Sequence, residues 1–348
     1  MDAKTSLGLK VHTTLSVSSQ GVPLGIINQQ VWSRDPENLG KAKKRRTLET
    51  KEKESQKWLN SLSQTQSLIP EEIEVITIAD AEADIFDLFC SDRKPNSHLL
   101  VRGTHNRKVE HPLKYLNKAI REVKSSGELN VEVKRSPSHD ARTALLTIKF
   151  TTLTILVPRH HLNQAQRNQI KLQVILAEEE NPPPGVSPIS WLLLTTVKVE
   201  SLAQAIKCVH WYNYRWLIER YHYVLKSGCK LEQLQLETAS RIKMALATYS
   251  IAAWRLLWLT YEARLNPEKS CDLFLEKHEW QSLCATINLN HTVPENPPSI
   301  KEAVRMIASL GGFLGRKGDG FPGVKTIWLG LRRLFDISET WKMLHQNS

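Results

Sequence analysis

The alternation of apolar and polar positions predicts strands over the first part of the chain. Residues 9–17 alternate in this way, a short polar turn follows, and residues 22–31 are typical of a return strand, so the chain opens on a hairpin. Apolar runs at 74–79 and 99–102 predict two buried strands of an α/β sheet.

Asp80 ends the first of these apolar runs. The segment AEADIFDLF that follows has the spacing of an amphipathic helix. A strand that carries a carboxylate at its carboxyl end, with a helix directly after it, commonly places that carboxylate in the cleft of an open α/β sheet. Asp80 is therefore a candidate site residue.

The middle of the chain has a β pattern and the remainder a helical one. Four candidate strands at antiparallel spacing lie between residues 127 and 178: LNVEVKRS, RTALLTIKF, TLTILVPR and IKLQVILAE. The Pro-rich segment 181–188 then leads into a buried strand, WLLLTT. From Ser201 to about Leu265 the pattern predicts continuous helix, and further helices are expected at 271–287, 300–310 and 328–344.

Composition narrows the class of protein. The 348 residues are 41% hydrophobic and 24% charged, which excludes a disordered or low-complexity chain and allows about two domains. No apolar run reaches the length of a membrane span, and the N-terminus lacks the apolar segment of a secretory signal. Five cysteines without a C-x-x-C pair predict free core thiols in a reducing compartment, not a metal site or disulfides.

The formal net charge of +11 leaves nucleic acid open as a partner without deciding it. Part of that charge lies in Lys41–Arg46, which is either a solvated loop or a patch that contacts phosphates. His160, His161 and His222 have no further ligands at metal-binding spacing and are interpreted as structural or solvent-exposed.

The most informative segment is residues 211–230, WYNYRWLIERYHYVLKSGCK. On a continuous helix, Tyr212, Arg215, Glu219 and Lys226 share one narrow polar face. A carboxylate between two cations suits metal chelation beside phosphates, because carboxylates bind Mg²⁺ and Arg and Lys bind phosphate oxygens. The alternative is an exposed face with ordinary ion pairing.

These four residues, in Y-x-x-R-x-x-x-E-x-x-x-x-x-x-K order, resemble the signature of the insertion-sequence-four family of cut-and-paste transposases. ITIADAEADIF is similar to the family segment that holds its second catalytic Asp, and PISWLLLTT is similar to the segment that leads into the signature helix. Residues 310–334 resemble the family's C-terminal helical region. The resemblance covers nearly the whole chain.

The resemblance implies an α/β fold with an RNase H-like core, a β-sheet insertion and an all-α C-terminal region. The implied boundaries are a first core part at 1–104, the β-rich insertion at 105–185, a second core part with the Glu-bearing helix at 186–265, and a helical dimerisation region at 266–348.

The resemblance also implies a DNA transposase that holds two Mg²⁺ ions, or Mn²⁺ in their place, with an Asp, Asp, Glu triad. Asp80 and Glu219, which are 139 residues apart, match the second Asp and the Glu as catalytic and metal-binding residues. Two such ions support in-line phosphoryl displacement. The family's site nicks DNA, forms a hairpin at the transposon end, resolves it and joins the end to target DNA.

Five further residues match DNA-binding positions of the family. Tyr212, Arg215 and Lys226 would hold phosphates beside a base flipped out of the transposon end, and Trp191 would stack on that base. Arg102 matches a position near active-site phosphates. The alternatives are a core tryptophan for Trp191 and an exposed strand-end charge for Arg102.

One family feature is expected to be missing. The family's first catalytic Asp lies on a core strand upstream of the segment LGLKVHTTLSV, and neither Asp2 nor Asp35 is placed to replace it. We therefore expect a chain that lacks the first core strand and is impaired in catalysis, either as a truncated copy or through a misassigned start codon.

Two other functions stay open from the sequence. A non-catalytic chain could dimerise through its C-terminal helices with full-length transposase and inhibit it. A two-carboxylate hydrolase of another kind could use Asp80 and Glu219, although the nearby cations favour phosphates. The expected partners are double-stranded DNA, as transposon ends and target, and a second copy of the chain, with no membrane. The expected location is the bacterial cytoplasm, on the nucleoid when DNA is bound.

Overall fold

A computed structural model describes residues 8–33, 50, 53–133, 140–158, 167–288 and 292–345. The chain divides into two compact units. The first contains Met1–His12 and Ile27–Arg215, and the second contains Thr13–Ile26 and Trp216–Ser348.

A six-stranded mixed sheet forms the centre of the first unit, in the order β3-β4-β8-β7-β6-β5. Strands β3 and β4 are parallel, and the other neighbouring pairs are antiparallel. Their bounds are β3 Val75–Ala79, β4 Ser97–Arg102, β5 Gly127–Val133, β6 Arg142–Leu156, β7 Gln169–Glu179 and β8 Ser190–Thr195. The strands expected in the insertion thus pair directly with those expected in the core.

Helices cover both faces of this sheet. On one face Leu99 and Val101 pack with residues of α1 (Gln56–Leu68), α2 (Phe86–Cys90) and α3 (Leu116–Glu122). On the other face Leu100 and its neighbours pack with α4 (Leu202–Asn213). Because consecutive side chains of a strand point to opposite faces, the unbroken apolar run of β4 supplies both cores. The α/β fold class is confirmed, whereas the RNase H-like core and the missing strand stay predictions.

Two strands that the sequence predicts in the middle region form a single continuous strand in the structure. RTALLTIKF and TLTILVPR were expected as separate strands, but β6 runs without a break and pairs with β7 from Leu146 opposite Glu179 to Leu156 opposite Gln169. Only Thr151 separates the two segments, and residues 142–156 contain no Gly, Pro or Asn to turn the chain. The prediction of a break there was wrong.

The hairpin at the start of the described chain is confirmed. Strand β1 spans Leu9–Val17 and β2 spans Pro23–Ser33. The Ser18 hydroxyl accepts hydrogen bonds from the backbone N–H groups of Gln20 and Val22, which fixes the turn between the strands.

The prediction of an amphipathic helix after Asp80 is also wrong. The chain forms a short 3₁₀ helix at Ala81–Ala83 and then α2, with a break at Asp84. The Asp84 side chain is fully buried, and hydrogen bonds from Arg107 and from the backbone N–H groups of Thr104 and His105 to its carboxylate compensate for the lost hydration. A side chain held inward in this way cannot also lie on the solvent face of a helix.

The helix expected from Ser201 to Leu265 is interrupted. Helix α4 ends at Asn213, α5 spans Trp216–Tyr223, and a π-helical turn follows at Val224–Gly228. Lys230 then takes a left-handed conformation, with φ 57°, before α6 begins at Ala239. The prediction that Tyr212, Arg215, Glu219 and Lys226 share a face of one helix is therefore wrong.

Helices make up most of the second unit. After α6 (Ala239–Leu265) come α7 (Lys277–Ile287), α8 (Ile300–Leu310) and α9 (Val324–His345), so the last helix begins four residues earlier than predicted.

All five cysteines are buried and free, which confirms their prediction as core thiols. Within the described residues, no helix combines the length and apolar character needed to span a bilayer.

Candidate nucleic-acid and metal site

Asp80 lies at the carboxyl end of β3, where the sequence places it. Its Oδ1 accepts the backbone N–H of Glu82 at 2.9 Å, so the carboxylate caps the short 3₁₀ helix and its orientation is fixed. Strand β4 runs parallel to β3, with Ala79 opposite Val101. Asp80 and Arg102, each the next residue along, therefore lie at the same edge of the sheet.

Four of the predicted DNA-binding residues come together in the first unit. The rings of Trp191 and Tyr212 meet edge to face with centroids 5.8 Å apart. The guanidinium carbon of Arg215 lies 5.9 Å from the centroid of the Tyr212 ring. Arg102 Nη2 lies 3.4 Å from the backbone oxygen of Ser190, the residue before Trp191. We call Arg102, Trp191, Tyr212 and Arg215 the Tyr212 cluster.

Tyr212 itself is a core residue, not a member of an exposed face. Its side chain is buried among residues of the sheet and α4, with 3% of its surface exposed. Burial raises the pKa of its phenol, and the positive charges of Arg215 and Arg102 oppose part of that rise. Two guanidinium groups beside two aromatic rings can bind phosphate oxygens and stack against a base.

Glu219 and Lys226 belong to the second unit. Glu219 is exposed on α5, and Lys226 is exposed on the π-helical turn. Lys226 Nζ forms an ion pair with Glu232 Oε1 at 2.8 Å. His222, between them in the sequence, is partly buried, and burial together with the charge of Lys226 lowers its pKa.

The predicted carboxylates meet the requirements of a metal site only in part. Carboxylate oxygens are the ligands that Mg²⁺ prefers, and the fixed orientation of Asp80 suits such a role. Within the described ranges, however, no group of three or more His, Cys, Asp or Glu side chains is placed to hold a metal ion. The assignment of Asp80 and Glu219 as metal ligands stays a prediction.

Some predicted positions lie outside the described residues: Lys41–Arg46, Asp2, Asp35, and His160 with His161. The sequence also left one residue unremarked. Asp84, with its partner Arg107, stabilises the turn that follows Asp80. The only signal in the sequence is that Asp84, the second carboxylate of AEADIFDLF, falls at an apolar position of the predicted helix.

Comparison with known families covers almost all of the chain. The family described as the transposase DDE domain matches residues 7–255, which is more than half of the protein. The chain belongs to the DDE transposase family. A second family, described as the transposase Tn5 dimerisation domain, matches residues 251–345.

The two family matches contain the Tyr212 cluster and the C-terminal helices, respectively. The DDE match contains Asp80, Glu219 and every member of the Tyr212 cluster. DNA is the substrate that a transposase implies, and DDE domains generally use divalent metal ions. The second match spans the helices from α7 to α9 and suggests a dimer.

Proposed function

We propose that the chain is a cut-and-paste transposase of the insertion-sequence-four type. Asp80 and Glu219 would each supply a carboxylate to catalytic Mg²⁺, and the Tyr212 cluster with Lys226 would hold the transposon end. The observation that carries the proposal is the position of the Tyr212 cluster. Arg102 and Trp191 lie at the same edge of the sheet as Asp80, which directly follows the last residue of β3.

Register supports a shared site at this edge. Strand β8 runs antiparallel to β4, with Leu193 opposite Arg102, and the backbone N–H of Gly103 donates to Leu192 at 2.7 Å. The first residues of β8, including Trp191, therefore lie where β4 ends. A phosphate held by Arg102 would lie at the edge that carries the Asp80 carboxylate.

The residues of the Tyr212 cluster suit different parts of a nucleotide. Arg102 and Arg215 present guanidinium groups that bind phosphate oxygens in pairs. Trp191 is half-buried, so its exposed part can stack on an unpaired base while the rest of the ring is held by Tyr212. Tyr212, being buried, would position Trp191 and Arg215 more than it would contact DNA.

Bound divalent metal would stabilise charge on the attacking and leaving oxygens during phosphoryl transfer. The backbone N–H of Glu82 restrains the Asp80 carboxylate through its Oδ1, which would reduce the rearrangement this ligand needs on binding. End nicking, hairpin formation, hairpin resolution and strand transfer are the reactions that we propose for this site.

Cleavage of a labelled duplex tests the proposal. The duplex carries the terminal repeat that borders the element's own coding sequence, and the reaction contains Mg²⁺ or Mn²⁺. Asp80→Asn and Glu219→Gln should each lower whatever cleavage the unaltered chain shows, by up to about 10⁴-fold, the scale seen when one member of a complete catalytic set is lost. Both variants should still bind the duplex in EDTA.

Glu237→Gln is the matched control, since the side chain of Glu237 is 87% exposed and Glu237 is not among the residues proposed to bind metal or DNA. It should cleave like the unaltered chain. Cleavage by Asp80→Asn or Glu219→Gln at the unaltered rate would refute their assignment as metal ligands.

The dimerisation match favours a second function, inhibition of an active transposase through mixed dimers. Titration of the chain into a cleavage reaction run by an active relative with the same terminal repeats tests it. Inhibition by a chain that does not itself cleave would support this function. Cleavage by the chain alone would favour the first.

A further inference from the structure

A polar cavity of about 540 Å³ lies in the first unit, away from the Tyr212 cluster. Three cationic side chains line it, those of Arg93, Arg167 and Lys171. The rest of the lining is mainly amide and hydroxyl groups, including those of Gln173 and Thr195. Such a lining offers hydrogen-bond donors and positive charge together.

Sheet register places this cavity at the opposite edge from Asp80. Strand β8 begins beside Arg102 and ends at Thr195, which is opposite Gln173 near the start of β7. Trp191 and Thr195 are four residues apart on one strand, or about 13 Å at about 3.3 Å per residue. The cavity is therefore separate from the proposed transposon-end site.

The position of Arg93 is fixed by the protein backbone. Its Nη1 donates to the carbonyl oxygens of Phe89 at 2.8 Å and Ser91 at 3.0 Å, at the C-terminal end of α2. This contact with the helix end holds the guanidinium group at the cavity wall. The cation is preorganised before any ligand arrives.

Positive charge at the cavity exceeds negative charge. None of the described lining residues carries a carboxylate, and Asp92, outside the lining, lies 3.8 Å from Arg167 with 93% of its side chain exposed. Burial and the charge of Arg167 both lower the pKa of Arg93, which means that the two guanidinium groups repel each other. A bound anion would relieve that repulsion.

We propose that this cavity binds phosphate groups of a DNA backbone, as a second DNA contact of the transposase. The ligand chemistry is that of a phosphodiester, because Arg, Lys, Gln and Thr side chains are typical partners of phosphate oxygens, and contacts to phosphate do not read the base sequence. The proposal rests on the proposed function only in taking DNA as the ligand. It requires neither metal ions nor cleavage.

The salt dependence of DNA binding tests the proposal. Binding of the full chain to a fluorescent duplex of arbitrary sequence is measured by anisotropy in EDTA, at several salt concentrations. The double variant Arg167→Gln, Lys171→Gln should bind more weakly, and the slope of log K against log salt should fall in magnitude by about 2, one for each lost phosphate contact. Arg93 is left intact because it also stabilises the end of α2.

The control removes equal charge elsewhere in the same unit. Lys118→Gln, Lys124→Gln changes two exposed lysines in and just after α3 and should keep the slope of the unaltered chain. Circular dichroism and the melting temperature establish that both double variants are folded. If one of them is not, the two single variants at the same positions, each expected to lower the slope by about 1, replace it.

A second arm separates DNA from a small anion. Inorganic phosphate is titrated against the melting temperature of the unaltered chain and the Arg167, Lys171 variant. Equal slopes for the two double variants in DNA binding would overturn the proposal. This holds even if phosphate raises the melting temperature of the unaltered chain alone, because the cavity would then bind a small anion and not DNA. Because Asp80→Asn should bind DNA normally in EDTA, failure of this proposal is distinguishable from failure of the proposed catalysis.

Discussion

Asp84 and Arg107 form the most buried ion pair of the first unit's described residues, directly after the strand that carries Asp80. The Nη2–Oδ1 distance is 2.5 Å, and the two side chains are 0% and 7% exposed respectively. Buried charges are tolerated only when they are paired and fully hydrogen-bonded. Asp84 meets this condition by accepting from two backbone N–H groups as well as from Arg107.

Loss of that carboxylate should destabilise the protein strongly. Asp84→Ala leaves Arg107 buried without its counter-charge, so the free energy of unfolding should fall by about 3–5 kcal/mol. Chemical denaturation measures the change. Asp92→Ala is the control, because its side chain is 93% exposed and its ion pair should contribute less than about 1 kcal/mol. Equal effects of the two substitutions would contradict the prediction.

His222 gives a pH dependence of stability in the second unit. Burial and the nearby Lys226 lower its pKa from the ordinary value of 6.5, so the folded protein favours the neutral ring. As pH falls below about 6.5, the unfolded chain takes up a proton that the folded chain does not, and the free energy of unfolding decreases. The contribution is present above that pH and is lost in acid.

Replacement of the ring isolates this contribution. His222→Gln should show a smaller decrease in unfolding free energy than the unaltered chain between about pH 7.5 and pH 5.5, measured by denaturant titration at each pH. The same substitution at His210, which lies on α4, serves for comparison. A decrease as large in His222→Gln as in the unaltered chain would show that other groups cause it.

At the scale of elements, close contact between two helices is set by glycine. Helices α8 and α9 approach where Gly330 faces the backbone of Ile307 and Gly311 faces that of Thr326. A Cβ atom added at Gly330 would overlap the Ile307 carbonyl oxygen, so any side chain there must move one helix.

Gly330→Ala should therefore lower the stability of the helical region. Overpacking of a close contact costs about 1–3 kcal/mol, and the cost should exceed the small gain in helix propensity from alanine. Thermal unfolding measures it. Gly318→Ala is the control, because a Cβ there meets nothing within 4 Å. Unchanged stability of Gly330→Ala would mean that the helices can separate without cost.

At the scale of the whole molecule, α9 leaves large apolar side chains exposed. Phe335 is 62% exposed, and Met343 and Leu344 near the end of the helix are 68% and 71% exposed. Apolar surface of this kind on a helix commonly marks a protein–protein interface. The match of residues 251–345 to a dimerisation domain agrees with that interpretation.

Phe335→Glu should convert a dimer to a monomer. A charge placed in an apolar interface loses hydration without gaining a partner, so the dimer dissociates. Sedimentation velocity over a range of protein concentrations measures the change. Leu314→Glu, at a position that is 69% exposed outside the helix, should leave the dimer intact. A monomeric unaltered chain, or a dimeric Phe335→Glu chain, would contradict the prediction.

Local patterns in the sequence determined much of this protein. Alternating and continuous apolar runs placed the hairpin and the strands of the sheet, and the apolar run before Asp80 placed that carboxylate at a strand end. The motifs around Asp80, Trp191 and Glu219 indicated a transposase, and the family matches bear out the transposase family. These features depend on neighbours within a few residues, which is the range that periodicity can report.

Only the tertiary structure decided which distant residues meet. It buried Tyr212 against Trp191 and turned Asp84 inward to Arg107. It also ended α4 at Asn213, although the sequence pattern predicted that the helix continues beyond that residue. It also brought Arg93 to the same cavity as Arg167 and Lys171. Each of these contacts is set by strand register and by packing between elements far apart in the chain, and no local period in the sequence encodes either.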